Sequence, residues 1–117
     1  PIDADEDDPE LNPQINVGTA SVGVRHGHLV WRFLRELGSF DLGGRRLDVR
    51  ENVKFMGGHF PRWLNGSFDG RVCALAIEVK KFFMDEWTGK LDRKLHGLIG
   101  EALASTVHGL GREIGRV

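Results

Sequence analysis

The sequence predicts an α/β fold: a partial, mainly parallel or mixed sheet flanked by helices. Two observations carry this reading. Strand-like and helix-like patterns alternate along the chain, in the order strand, helix, strand, short helix, strand, helix. The apolar run Val72–Ile77 is unbroken rather than alternating, as in a strand covered on both faces of a largely parallel sheet. Three strands are few for a complete sheet.

Each element has a local reason. "INVGTASVG" (Ile15–Gly23) reads as a short strand or loop rich in small residues, with no GxGxxG or Walker pattern. From about Val24, Leu29, Val30, Phe33, Leu34 and Leu37 recur at helical spacing, and Gly38 supplies a stop signal. His26 and His28 open that segment. The HxH spacing binds metal on a strand, but on a helix the two side chains diverge, and a solvated helix start is expected. "DLGGRRLDVREN" (Asp41–Asn52) gives a Gly-Gly turn and a strand from Arg46 to about Arg50. Phe60, Trp63 and Leu64 suggest a short helix or packed loop, and Asp69-Gly70 a turn before a strand beginning near Val72. The last helix runs from Leu91 to about Leu110. Its stripe is Leu91, Leu95, Leu98, Ile99, Ala102, Leu103, Val107 and Leu110, weakened by Gly97, Gly100, Gly109 and Gly111.

Composition bounds the function. The chain has 117 residues, 40% apolar and 28% charged, with net charge -1. This is one domain's worth of an ordinary globular protein, with no electrostatic case for nucleic acid or an anionic membrane. No apolar stretch approaches the roughly 20 residues that span a bilayer, and no secretory h-region opens the chain. Cys73 is the single cysteine, and it reads as packing in a cytoplasmic protein. Residues 1–14, with Asp3, Asp5, Glu6, Asp7, Asp8 and Glu10 beside Pro9 and Pro13, read as an acidic flexible arm. Residues 15–117 form the domain. Trp31, Trp63 and Trp87 are expected to be packing, and Asp85 and Glu86 to cap or bind the next segment.

Glu78 ends the most apolar run. Strand alternation places Ala74, Ala76 and Glu78 on one face, leaving room beside the carboxylate, and Cys73, Leu75, Ile77 and Val79 on the other. Ligands of open α/β sheets collect at strand carboxyl ends, where Glu78 is expected to lie. A carboxylate there needs a cation, hydrogen-bond donors or solvent. It serves either as a proton shuttle or as the partner of Lys80, Lys81 or Arg50 in a structural salt bridge.

Two motifs in order, "NVKFMGGHFPR" and "AIEVKKFFMDE", resemble the C-terminal part of the N-formylglutamate amidohydrolase family, whose fold is similar to that of zinc carboxypeptidases and phosphorylase/hydrolase-like proteins. The family shows Asn, an aromatic, Gly-Gly-Tyr and Arg, here Asn52, Phe55, Gly57, Gly58, His59 and Arg62. It then shows Ile-Glu-Ile followed by Tyr-Met-Asp-Glu, here Ile77–Val79 and Phe83–Glu86. The match covers roughly residues 45–90. His59 replaces the usual Tyr, and Lys80 and Lys81 stand where Asn and Arg are common, which points to a different substrate or a distinct subgroup.

The resemblance implies zinc-assisted hydrolysis of the amide bond of an N-acyl, for example N-formyl, amino acid. Glu78 would act as general base and then acid. Arg62 would clamp the substrate carboxylate. Gly57 and Gly58 would let backbone amides approach the substrate, and His59 would donate to the developing oxyanion. Asn52 would orient the loop or substrate, and Arg50 is a second candidate for binding substrate. The family's zinc ligands precede the matched region, and none is assigned to His26, His28, His96 or His108. The chain therefore reads as the C-terminal segment of a hydrolase that associates with the remainder of its parent or with itself. A non-catalytic α/β binding or regulatory domain is the alternative.

Overall fold

β1 (Ile15–Gly18) lies at the centre of the sheet because its side chains serve two different environments. Ile15 and Val17 point to one face and are fully buried, while Asn16 and Gly18 point to the other. The computed structural model describes residues 12–114 except Asp69 and Glu86. Most of the expected acidic arm, residues 1–11, lies outside the described residues. Residues 12–14 do not behave as an arm: Pro13 is buried, Gln14 Oε1 accepts from Asp48 N at 2.9 Å, and Gln14 O accepts from Lys80 N at 2.8 Å.

A short 3-10 turn (Val24–His26) leads into α1 (Gly27–Gly38), which buries Leu29, Val30, Phe33 and Leu37 at helical spacing. α1 is the crossover that a parallel pair requires, and it delivers the chain to β2 (Val49–Glu51), which runs parallel to β1. β2 starts three residues later than the expected Arg46. Arg46 pairs instead with Asp41 across the Gly43-Gly44 turn, where both glycines have positive φ. α2 (His59–Ser67) is the expected short helix.

β3 (Ala76–Val79) pairs antiparallel with the free side of β1, giving a mixed sheet of order β2-β1-β3. The prediction of a strand buried on both faces and starting near Val72 fails here. β3 is an edge strand in which Ile77 and Glu78 are exposed. Its expected first half leaves the ladder because the Asn65 side chain of α2 holds both backbone groups of Ala74: Oδ1 accepts from Ala74 N at 2.8 Å, and Nδ2 donates to Ala74 O at 3.0 Å.

α3 (Arg93–Ile114) starts at Asp92, whose Oδ1 accepts from Leu95 N at 3.0 Å as an N-cap. α1 and α3 cover the Ile15/Val17 face, where Phe33, Leu37, Leu47 and Ala102 complete the core. The buried stripe of α3 is Ile99, Ala102, Thr106, Gly109 and Glu113, so the inclusion of Leu91 and Val107 is corrected: both are exposed. Gly109 is required by contact rather than by its φ angle. A Cβ there would lie 2.7 Å from Glu36 Oε1 and 2.8 Å from Arg32 Nε. That space admits the Arg32–Glu36 pair at 2.8 Å, and Arg32 reaches the buried Glu113 at 3.5 Å. Among the described residues, no helix is long and apolar enough to cross a membrane.

Candidate functional site

The sheet register brings two of the sequence candidates into one row. Asn16 is paired with Arg50 on β2 and with Glu78 on β3, so all three side chains leave the same face. Arg50 and Glu78 stand two interstrand spacings apart, ~10 Å. Asn16, between them, is 4% exposed. Its polar side chain is covered by the loop after β2. Oδ1 accepts from Val53 N at 2.9 Å and Lys54 N at 3.3 Å, and Nδ2 donates to Phe55 O at 2.8 Å.

Asn52 holds the start of that loop. Its φ of 54° is in the left-handed region that Asn tolerates. Its Oδ1 accepts from Thr19 N at 2.9 Å and its Nδ2 donates to Thr19 Oγ1 at 3.0 Å. The Thr19 hydroxyl in turn donates to the Glu51 carboxylate. Of the two roles considered for Asn52, the geometry gives loop orientation.

Gly57 and Gly58 continue the loop at φ 135° and 79°, backbone that favours glycine. The group that Gly57 approaches is the protein's own β1: a Cβ on Gly18 would lie 2.6 Å from Gly57 N. Gly58 borders a cavity of about 460 Å³ that Arg62, Ser21, Met56 and Asn65 also line. Arg62 is exposed, so its guanidinium is accessible beside that cavity. His59 is the exposed first residue of α2 and lies outside this lining.

Glu78 is exposed, and among the described residues no hydrogen bond or ion pair joins it to another side chain. Of the outcomes open to a carboxylate here, solvation is the one adopted. Among the described residues, the salt bridge expected of a purely structural residue is absent. Arg50 does not pair with it. Its Nε and Nη2 engage the Asp48 carboxylate at 2.8 and 2.7 Å, as a bidentate fork.

The placement of Glu78 at the ligand-binding ends of the strands needs correction. β3 runs against β1, so its carboxyl end lies at the amino end of β1. Thr19, Asn52 and the Gly57-Gly58 loop gather at the opposite edge. Glu78 and the Arg62 cavity therefore occupy the same face but different ends of it.

Other expectations change too. His26 is buried, not solvated, and His28 Nε2 is 3.4 Å from Glu113 O. Trp31, Trp63 and Trp87 are exposed rather than packed in the core. Trp63 stacks on Phe60 at 6.2 Å, and Arg35 lies 5.1 Å from the Trp31 ring. Burial pushes the Cys73 thiol up, which disfavours the nucleophilic thiolate. Asp85 Oδ1 accepts from Trp87 N and Thr88 N, holding a tight turn, while Glu86 lies outside the described residues.

Sequence reasoning missed Asn16, Thr19 and Asn65. For Asn16 a signal was present: an amide between Ile15 and Val17 on a strand must find partners when buried. Among the described residues no group of three or more His, Cys, Asp or Glu side chains is arranged to hold a metal ion. Comparison with protein-family models, with curated proteins and with solved structures returned no match.

Proposed function

We propose that this chain supplies the proton-carrying carboxylate and the substrate clamp of a metal-dependent amidohydrolase resembling N-formylglutamate amidohydrolase, with the zinc carboxypeptidase-like fold that the resemblance implies. Its substrate would be a small N-acyl amino acid, and its setting the cytoplasm. The observation that carries the reading is the state of Glu78. It is exposed, unpaired among the described residues, and in register with a buried Asn16 that anchors the glycine loop. A solvated carboxylate on a rigid strand is free to take a proton from an attacking water and return it to the leaving nitrogen. Arg62, accessible beside Gly58, suits a carboxylate group on the substrate, and because it lies toward the other end of the face the substrate has to reach from there to Glu78.

The described residues do not fit a zinc ion, so no step is assigned to one. In this reading the ligands belong to residues outside those described. The alternative of a non-catalytic binding domain expects Glu78 in a salt bridge and no cleft beside it: no salt bridge joins it to a described residue, and Glu78 lines none of the described cavities.

The test is hydrolysis of N-formyl and longer N-acyl amino acids by the protein that carries this chain. Glu78→Gln is expected to lower kcat about 100-fold or more, the usual contribution of general acid–base catalysis. Its melting temperature should not move, because the side chain is exposed and unpaired. Unchanged turnover in Glu78→Gln would overturn the proposal.

A further inference from the structure

A second cavity shares no lining residue with Glu78 or with the Arg62 cavity. It encloses about 880 Å³ and lies on the α1/α3 side of the sheet, away from Glu78. That volume is within the usual range of small-molecule sites, about 300–1,000 Å³. Leu29 of α1, Leu110 of α3 and Leu75, just before β3, form its apolar wall. Its polar members are all basic or neutral. Arg25, Arg71, His26 and His28 line it, and no carboxylate does so among the described residues.

Both arginines are exposed, so the cationic end of the cavity opens to solvent. The Arg25 guanidinium lies directly over Gly70, where φ is 78° and a Cβ would collide with Nη1. Among the described residues Arg25 has no hydrogen-bond or ion-pair partner. Arg71 donates only a long bond, Nε to Phe68 O at 3.4 Å, leaving its outer nitrogens available. Two guanidinium groups, with no carboxylate among the described lining residues, complement an anion with an apolar body.

We propose that this cavity binds an apolar carboxylate, an acid with an alkyl or aryl tail, as a site separate from the Glu78 face. The tail lies against Leu29, Leu75 and Leu110, and the carboxylate meets Arg25 and Arg71. This inference does not depend on the amidohydrolase reading.

Octanoate and 3-phenylpropionate, titrated into the full chain by calorimetry, test it, with 1-octanol as the uncharged control. At least one acid is expected to bind one-to-one with a sub-millimolar Kd, and the stronger of the two identifies the tail. Octanol should bind about tenfold more weakly, the scale of a lost charge-assisted hydrogen bond. Arg25→Ala with Arg71→Ala should weaken the acid by about tenfold or more. Cys73 lines the cavity and is the chain's sole cysteine, so bound acid should slow its alkylation by N-ethylmaleimide. The alkylation and octanol arms use the wild-type chain and stand even if the double variant fails to fold. Absence of binding by both acids, equal binding of octanol, or an unprotected Cys73 would each overturn the proposal.

Discussion

At the scale of single residues, Asn52 and Glu78 show how differently two polar side chains contribute. Asn52 is fully engaged, with both amide atoms on Thr19 and its backbone at positive φ. Asn52→Ala removes two hydrogen bonds and leaves a Cβ in the left-handed region without the amide that makes asparagine tolerant of it. A lost buried partner costs about 1–3 kcal/mol and the left-handed backbone about 1–2 kcal/mol. Asn52→Gly removes the same bonds without the backbone penalty. Urea denaturation should therefore rank wild type above Asn52→Gly and Asn52→Gly above Asn52→Ala, the two variants differing by about 1 kcal/mol. Equal stabilities for the variants would show that the φ angle plays no part. Glu78 is the opposite case. It contributes nothing visible to packing, so its substitution should register in catalysis alone. The sequence made Glu78 conspicuous because a charge interrupted an apolar run. It hid the partners of Asn16, since an amide between two apolar strand residues signals a need for partners but not which loop supplies them.

At the scale of elements, the helices were legible and the sheet edge was not. α1 was readable because its apolar residues repeat every three to four positions and need only their own helix to be recognised. α3 was readable as a helix, but it starts at Arg93 and runs to Ile114, four residues past the expected Leu110, and its buried stripe depends on α1. Gly109 and Glu113 turn inward where Arg32 and Glu36 meet them. β3 was misread because unbroken apolarity cannot distinguish a strand from a segment held by another element. Here Asn65 holds Ala74, and the strand begins only at Ala76. Strand direction is likewise a property of the partner, not of the run. The contact that fixes the glycine loop to the sheet is also a matter between elements, and it is testable. Gly18→Ala would put a methyl 2.6–2.8 Å from backbone atoms of Gly57 and Met56, which cannot rotate away. Either β1 or the loop must shift, at a cost of about 1–3 kcal/mol, typical of overpacking. The expected signature is a lower melting temperature, with faster amide exchange at Val53 and Lys54, whose N–H groups bond to Asn16. Slow exchange in a stable Gly18→Ala would mean that the approach of the two glycines is not required.

At the scale of the whole molecule, the six elements occur in the expected order around a small mixed sheet, and several large apolar side chains are exposed. Phe60, Trp63, Ile77, Trp87 and Val107 are all exposed. Single exposed apolar side chains are ordinary, and their position decides whether they matter. Ile77 matters most because it sits on β3, an edge strand, 42% exposed beside the exposed Glu78. An edge strand offers unpaired backbone groups, and an apolar side chain on it offers surface to whatever pairs there. The amidohydrolase reading expects such an edge to meet the remainder of a larger sheet; without that partner, two copies of this chain can meet there instead. The chain alone is therefore expected to self-associate in sedimentation velocity at tens of micromolar protein, an order-of-magnitude estimate for a small exposed patch. Ile77→Lys places a charge on the edge, the device by which natural sheets resist pairing. Because the side chain is already partly exposed, the change should cost no more than about 1 kcal/mol of folding stability. It should shift the sedimentation profile toward monomer without altering the far-ultraviolet circular dichroism. Association that persists unchanged in a folded Ile77→Lys would move the interface elsewhere, to the Phe60–Trp63 stack on α2 as the next exposed apolar surface.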